Sequence, residues 1–384
     1  MERFSYQYPV KQYFGKGCME DALKAEMPFM GNKVMLAFGG GSLKRHGLYD
    51  RVKAILESGG KTVVGFGGIM PNPTYAKVQE GAAVARKEGV EFILAVGGGS
   101  VIDCCKIISA QSRTDEDVWD MLYKEKRVPS EFIPIGAVVT ASGTGAEQNN
   151  GAVITNEEKK LKQPLFGACH RFAVLDSDLT LTLPGKQVVS GAFDTLSHCM
   201  ETYMGRPFAD NVSDEINESV MRNVIRNLRA LIADGENDFA RGELMWDSAM
   251  AENGILKLGK VTDFQCHMLE HAVGAYTDCN HGQGLAIIHP ALYRRYLPEG
   301  AEKLAKMARN VWGIAEDDDL TAANAAIDAL ESFINEIGMP SRWSEIGVTD
   351  EEQLRKAAES AILTPGCCKR FTHEELFEVL KETK

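Results

Sequence analysis

The first half of the chain alternates short apolar runs with helical segments. The apolar runs are Lys33–Phe38, Lys61–Gly65, Glu91–Val96 and Phe132–Gly136, the last leading to Thr140. The helical segments span 47–58, the Ala- and Lys-rich stretch 74–88, and 101–111. Strands that alternate with helices of this length predict βαβ units and a parallel sheet.

The pattern changes near Leu183-Pro184-Gly185. Beyond this point β-branched runs nearly vanish, and long segments with apolar residues three or four positions apart replace them. These segments span 187–204, 210–232, 240–257, 261–275, 284–296, 300–313, 319–337 and 350–361. The sequence therefore predicts an α/β domain, residues 1–184, followed by an all-helical domain, residues 185–384.

Composition narrows the range of partners. Hydrophobic residues make up 44% and charged residues 25% of the 384 residues, an ordinary globular mixture. The net charge of −12 argues against nucleic acid as a partner. No apolar run approaches the ~20 residues of a membrane helix, and the N-terminal sequence does not resemble a signal peptide. We expect a cytoplasmic protein with no nucleic-acid or membrane partner.

Glycine-rich turns follow two of the predicted strands. Phe38 leads into Gly39–Ser42, and Val96 leads into Gly97–Ser100, which precedes a predicted helix. Neither turn is a G-x-G-x-x-G motif or a P-loop, so each is either a tight connection or a phosphate site. Two such turns at strand ends of one parallel sheet favour the phosphate site. The hydroxyl-rich segment Thr140–Glu147 is compatible with a solvated loop or with a third wall of that cleft.

Histidines and one aspartate recur at helical spacing in the second half. Asp194 and His198 are four residues apart, as are His267 and His271, and His281 lies in a glycine-rich stretch. Each alone is compatible with an ordinary helix-face residue. Together they favour a catalytic divalent metal, because imidazole nitrogen and carboxylate oxygen suit such ions. A dinucleotide cleft beside a metal-binding domain indicates hydride transfer.

The same motifs, in the same order, resemble those of the iron-containing (group III) alcohol dehydrogenase family. The resemblance is to its NADPH-dependent butanol dehydrogenase and aldehyde reductase branch and covers nearly the whole chain. Gly97–Ser100 with Asp103 and Lys106 matches the family's G-G-G-S-x-x-D-x-x-K. The other matching motifs are Pro71-Asn-Pro-Thr74, Thr140–Glu147, Asp194-x-x-x-His198, His267-x-x-x-His271 and His281-Gly-x-Gly284.

The resemblance implies a dehydroquinate synthase-like fold, an α/β dinucleotide-binding domain with a parallel sheet followed by an all-α metal-binding domain. It implies that the metal ligands are Asp194, His198, His267 and His281, and that His271 lies near nicotinamide and substrate and helps to move a proton. The implied cofactor contacts are Gly39, Gly40, Ser42, Asn72, Gly97, Gly98, Gly99, Ser100, Asp103, Thr140, Thr144, Asn149, Lys162 and Leu179.

The implied activity is interconversion of primary, butanol-like alcohols and their aldehydes by a homodimer that binds Fe²⁺ or Zn²⁺. The reaction is expected in a cleft between the two halves. NAD-preferring relatives carry an acidic side chain near the first glycine turn, whereas Ser42-Leu-Lys-Arg45 offers a hydroxyl and two cations. We therefore expect NADP(H) as the cofactor, with NAD(H) as the alternative.

Other functions remain open at the level of sequence. A glycerol dehydrogenase-like polyol oxidoreductase or a dehydroquinate synthase-like lyase would share the fold. Those relatives use three protein ligands, and the presence of all four positions here, including Asp194, argues against them. A redox-responsive, non-catalytic sensor would use Cys104, Cys105 and Cys266. His289 lies outside the matching motifs and is expected in the core or on the surface.

Overall fold

The computed structural model describes residues 2–384, which divide into two compact units. One unit is Tyr8–Pro184, and the other is Gly185–Lys384 together with the N-terminal residues through Gln7. Hydrogen bonds join the N-terminal segment to the second unit. The amide of Glu2 donates to the carbonyl of Gly259 at 3.1 Å, and the Tyr6 hydroxyl donates to the carbonyl of Asn253 at 3.2 Å.

The first unit contains a six-stranded parallel sheet with the order β1-β8-β5-β4-β2-β3 and a separate antiparallel hairpin, β6-β7. The strands are β1 Lys11–Phe14, β2 Lys33–Phe38, β3 Thr62–Phe66, β4 Phe92–Gly97, β5 Ile135–Val139, β6 Gly151–Asn156, β7 Leu161–Phe166 and β8 Phe172–Leu175. The helices are α1 Met19–Glu26, α2 Ser42–Arg45, α3 Leu48–Ser58, α4 Tyr75–Glu88, α5 Gly99–Gln111 and α6 Val118–Tyr123. The predicted parallel sheet is confirmed.

Strands β2 and β4 are apolar and buried along almost their whole length, as expected for central strands covered on both faces. In their parallel register Phe38 is opposite Val96. Each strand then continues into its glycine turn. The two turns therefore leave the same edge of the sheet, the carboxyl edge at which open α/β sheets bind ligands.

The β6-β7 hairpin was not predicted. Strand β6 alternates partly buried and buried residues, whereas β7 contains Pro164 and buries only Lys162 and Leu165. Neither strand therefore has the continuous apolar run of the central sheet. The connection is closed locally: the Asn156 side chain accepts a hydrogen bond from the amide of Lys159, and Lys160 adopts a positive φ. A two-stranded element of this kind is stabilised mainly by what it packs against.

The second unit is helical, and no strand occurs within Gly185–Lys384. Its helices are α7 Gly185–Tyr203, α8 Val212–Ala233, α9 Asp238–Glu252, α10 Gln265–Thr277, α11 His281–Arg295, α12 Ala301–Asn310, α13 Asp319–Glu336, α14 Glu351–Ser360 and α15 His373–Glu382. The predicted fold class is confirmed, and only α15 lies outside the predicted segments. None of the helices in the described residues 2–384 has the length and apolar character needed to cross a bilayer.

Helix starts in this unit follow from local sequence. Asn211, Asn237, Asn280 and Asp318 each precede a helix and accept a hydrogen bond from a backbone amide of the first turn. The apolar faces of the helices then pack into one core that extends from α7 to α15. This core holds α7, α10 and α11 in place, and these three helices carry every predicted metal ligand.

Candidate active site

Asp194 is the centre of the predicted metal site. It is buried on α7, and its Oδ1 lies 3.9 Å from Nδ1 of His198, one turn further along. The same oxygen lies 3.5 Å from Nε2 of His267 on α10 and 3.5 Å from Nε2 of His281 on α11. The structure thus brings all four predicted ligands to one point.

Electrostatics keep Asp194 ionised. Burial alone would raise the pKa of its carboxyl group, but the facing imidazoles of His198, His281 and His267 hold that pKa well below its usual range. Burial lowers the pKa of His198 to about 4, against the opposing effect of Asp194. A neutral His198 ring has a nitrogen lone pair available for a metal ion.

Three buried atoms at this point lack a hydrogen-bond partner among the described residues: Oδ1 of Asp194, Nδ1 of His198 and Nε2 of His267. Buried polar atoms are nearly always paired, so such a group needs an explanation. Ligand atoms of Asp194, His267 and His281 all lie within 4.8 Å of one another, and the rings of His198 and His267 stack 4.5 Å apart. One carboxylate and three imidazoles that converge in this way fit a divalent cation.

Close approach of α11 to α7 explains the glycine that follows His281. A Cβ atom at Gly282 would overlap the backbone carbonyl of Ser190 on α7. The Ser190 hydroxyl donates to Oδ1 of Asn280 at 2.5 Å, and that same oxygen accepts the amide of Gln283 at 3.1 Å. The start of α11 is therefore fixed against α7, and His281, its first residue, faces Asp194.

Two glutamates that were not predicted as site residues contact the ligands. Oε2 of Glu201 is hydrogen-bonded to Nδ1 of His267, and Oε2 of Glu270 is hydrogen-bonded to Nδ1 of His281. Both carboxylates are buried. Each lies three residues after a ligand on the same helix, Glu201 after His198 and Glu270 after His267. That spacing is the one local signal that could have identified them.

His271 is buried on α10, one turn beyond His267. Its ring centroid lies 5.3 Å from that of His281 and 6.1 Å from that of His267. A ring nitrogen of His271 lies within 4.8 Å of potential ligand atoms of Glu270 and His281, a set that does not include Asp194. His289 is buried in the core, where its Nε2 lies 2.6 Å from the Ser197 hydroxyl oxygen.

In the α/β unit the structure brings two of the predicted cofactor segments together. The amide of Thr140 donates to the carbonyl of Gly97 at 3.0 Å. A Cβ atom at Gly99 would overlap the side chain of Thr144. The Gly97–Ser100 turn and the segment after β5 are therefore in contact, and the turn opens the 13-residue helix α5. Free amides at such a helix start suit a phosphate group.

Asp103 and Asn149 surround a buried lysine. Asp103 accepts the amide of Val153 in β6 at 2.9 Å and faces Nζ of Lys106 at 3.4 Å. The same Nζ lies 3.3 Å from Oδ1 of Asn149 and also donates to the carbonyl of Gly151. These predicted cofactor residues thus also fix the hairpin to α5.

The remaining predicted contacts are distributed around this hairpin and the sheet. Lys162 is buried in β7, opposite Thr155 of β6. Asn72 adopts a positive φ in a turn whose Pro73 carbonyl accepts the Thr155 amide at 2.9 Å. Leu179 lies in a short 3₁₀ segment and packs against the core of the α/β unit.

The first glycine turn lines a cavity of about 410 Å³. The cavity is formed by Phe38, Gly39, Gly40, Gly41, Lys44, Tyr49, Gly65, Gly67 and Gly68. Ser42 follows at the start of α2. Nζ of Lys44 lies 5.2 Å and 5.0 Å from the ring centroids of Phe38 and Tyr49, so a cation is held over two aromatic faces at this cavity.

Family comparison decides between the functions that share this fold. The profile described as "Iron-containing alcohol dehydrogenase" matches residues 9–177, and the profile described as "Fe-containing alcohol dehydrogenase family, C-terminal" matches residues 188–383. The chain belongs to the iron-containing alcohol dehydrogenase family. As an alcohol dehydrogenase of this family, it interconverts alcohols and aldehydes with a divalent metal and a nicotinamide cofactor.

Relatives of this iron-containing alcohol dehydrogenase are similar over nine tenths or more of the chain. It is 35% identical to NADH-dependent butanol dehydrogenase A of Clostridium acetobutylicum, with 100% of each chain covered. It is 35% identical to the NADPH-dependent aldehyde reductase YqhD of Escherichia coli, over 91% of this chain and 90% of that one. The solved structure of NADH-dependent butanol dehydrogenase A from Thermotoga maritima matches with a TM-score of 0.93 at 31% identity, covering 100% of this chain and 99% of that one.

Proposed function

We propose that the chain is a metal-dependent, NADP(H)-linked enzyme that interconverts butanol-like primary alcohols and their aldehydes. The observation that carries the proposal is the convergence of Asp194 with the imidazoles of His198, His267 and His281. Three buried polar atoms of this set of four residues have no hydrogen-bond partner among the described residues. Relatives named as butanol dehydrogenases and an aldehyde reductase favour this substrate class over glycerol-like polyols.

The four residues around Asp194 would hold Fe²⁺ or Zn²⁺. When bound, the metal would polarise the substrate oxygen, and the nicotinamide cofactor would supply or accept the hydride. Asp194 contributes the negative charge that retains the cation, and the neutral His198 ring contributes a lone pair. His271, buried beside His281, would hold or move the proton of the substrate hydroxyl at a ring nitrogen.

Cofactor binding is assigned to the carboxyl edge of the parallel sheet. The amides at the start of α5 would bind the pyrophosphate, with Thr140 and Thr144 beside them. The cavity along Gly39, Gly40 and Lys44 would hold the adenosine end. Lys44 and the Ser42 hydroxyl suit a 2′-phosphate, which supports NADP(H) over NAD(H). A clear preference for NADH in steady-state kinetics would contradict this assignment.

The test of the reaction is oxidation of NADPH with butanal by metal-analysed protein, before and after chelation and after addition of Fe²⁺ or Zn²⁺. We expect activity to fall on chelation and to return with one of these ions. Asp194→Ala should lose both metal and activity while its far-ultraviolet circular dichroism stays that of the parent. Turnover by a metal-free Asp194→Ala protein would refute the proposal.

We also propose a homodimer. Strand β1 lies at one edge of the sheet, paired with β8 on one side, and Phe14 at its end is exposed. An uncovered edge strand is a natural place for a second copy to pair. Light scattering of the purified protein tests this, and a monomeric mass would contradict it. No disulfide bond forms among the cysteines of the described residues 2–384, which supports a reducing compartment such as the cytoplasm.

A further inference from the structure

The histidines of the metal site differ in what the Nδ1 atom of each ring faces. Nδ1 of His267 and Nδ1 of His281 each face a buried glutamate, whereas Nδ1 of His198 lies 3.9 Å from Asp194 itself. A carboxylate accepts but does not donate when ionised, so its partner nitrogen carries the proton. The other nitrogen, Nε2, then presents its lone pair toward Asp194 in both rings.

We propose that Glu201 and Glu270 are positioning residues that fix His267 and His281 as Nε2 ligands and increase their affinity for the metal. The inference rests on the metal site of the proposed function. A hydrogen bond from Nδ1–H to a carboxylate prevents the ring from turning over and raises the basicity of Nε2. Neither glutamate contacts substrate or cofactor in this assignment. They act through the two histidines.

Glu201 fixes both the ring and the helix that carries it. Its Oε1 accepts the amide of Cys266 at 2.7 Å, and its Oε2 accepts the amide of His267 at 3.2 Å as well as the His267 ring. These amides belong to the first turn of α10, where backbone donors have no intrahelical partner. One buried carboxylate on α7 therefore sets the position of α10 and the orientation of its ligand together.

Glu270 occupies space that a glycine leaves. A Cβ atom at Gly284 would lie 2.8 Å from Cγ of Glu270, closer than side-chain carbons approach one another. Gly284 is the second glycine of the His281-Gly-x-Gly motif, one turn after the ligand on α11. The two glycines of the motif therefore have separate roles. Gly282 leaves room for the backbone of α7, and Gly284 leaves room for the Glu270 side chain that is hydrogen-bonded to His281.

The test compares three variants of the full-length protein with one matched control. Glu201→Gln and Glu270→Gln remove the charge at nearly constant shape, and Gly284→Ala displaces Glu270 without changing it. Asp247→Asn, the control, removes another buried carboxylate of the same unit, one that contacts Asn223 and no metal ligand. Each protein is stripped with a chelator and titrated with Zn²⁺ in competition with a chromophoric chelator. Co²⁺ loading then gives the visible spectrum of the site.

We expect the two Gln variants to bind Zn²⁺ about 10- to 100-fold more weakly than the parent, with an altered Co²⁺ spectrum. Gly284→Ala should reproduce the effect of Glu270→Gln, and Asp247→Asn should bind like the parent. Thermal unfolding of the metal-free proteins separates a role toward the metal from a general loss of structure. A variant with parental metal-free stability and weakened Zn²⁺ binding supports the inference.

Zn²⁺ affinities of Glu270→Gln and Gly284→Ala within twofold of the parent would overturn it, even if the enzyme still turns over butanal. Loss of affinity in Asp247→Asn to the same extent would overturn it as well. If the parent itself binds neither Zn²⁺ nor Fe²⁺, the proposed function fails and this inference fails with it. Should Glu201→Gln not fold, because it also holds backbone amides, Glu270→Gln and Gly284→Ala decide alone.

Discussion

Asp247 has a buried carboxyl group that should make the stability of the protein depend on pH near neutrality. It lies on α9, 3% exposed, and Nδ2 of Asn223 donates to both of its oxygens at 2.9 and 3.1 Å. Burial raises the pKa of Asp247 to about 7. Asn223 opposes the shift, Glu243 one turn earlier increases it, and Arg226 lowers it.

The magnitude follows from the difference between the two states. An aspartate in an unfolded chain has a pKa of about 3.9, so the folded state binds the proton more tightly by about 3 pK units. Between those two values the folded state holds more protons, and the free energy of unfolding therefore falls as pH rises. Above pH 7 the free energy of unfolding is lower than at acidic pH by about 4 kcal/mol, at 1.36 kcal/mol per pK unit.

Asp247→Asn removes the titration. We expect the variant to unfold at a higher urea concentration than the parent at pH 8. The difference in free energy of unfolding between variant and parent should be about 3 kcal/mol smaller at pH 5, where the carboxyl group of the folded parent is mostly protonated. Equilibrium unfolding followed by tryptophan fluorescence at both pH values measures the difference. A stability difference that is the same at pH 5 and pH 8, or a variant less stable than the parent at pH 8, would refute the reasoning.

Three further substitutions test the two ligand sites. Gly99→Ala should raise the KM for NADPH about tenfold or more in steady-state kinetics, because the new methyl group would overlap Thr144 and displace the turn that opens α5. An unchanged KM would place the pyrophosphate elsewhere. Gly282→Ala should destabilise the protein by roughly 1–3 kcal/mol in urea unfolding, because the new methyl group overlaps the Ser190 carbonyl, and a parental midpoint would contradict the close approach of α11 to α7. Ser42→Asp should lower kcat/KM for NADPH relative to NADH by about 10-fold or more, through repulsion of the 2′-phosphate, and an unaltered ratio would remove Ser42 from cofactor selection.

Local sequence was sufficient to predict much of the fold. Central strands such as β2 and β4 are short apolar runs bounded by glycine, and the helices of the second unit have apolar residues at three- and four-residue spacing. The β6-β7 hairpin was missed because β6 buries only alternate residues and β7 buries only two of six, and because the two strands contain Pro164 and several polar side chains. Its position is set by contacts with α5 and by the buried Lys106, which lie far from it in sequence.

The sequence by itself determined which residue types could bind a metal, because Asp194 with His198 and His267 with His271 are pairs within single helices, whose geometry is fixed by the helical repeat. Only the tertiary structure decided that His267 and His281 face Asp194 while His271 lies beside them, since this depends on how α10 and α11 pack against α7. The same packing decided the roles of Glu201 and Glu270. Their hydrogen bonds join side chains that are 66 and 11 residues apart, and no periodicity within one helix encodes the distance between two helices.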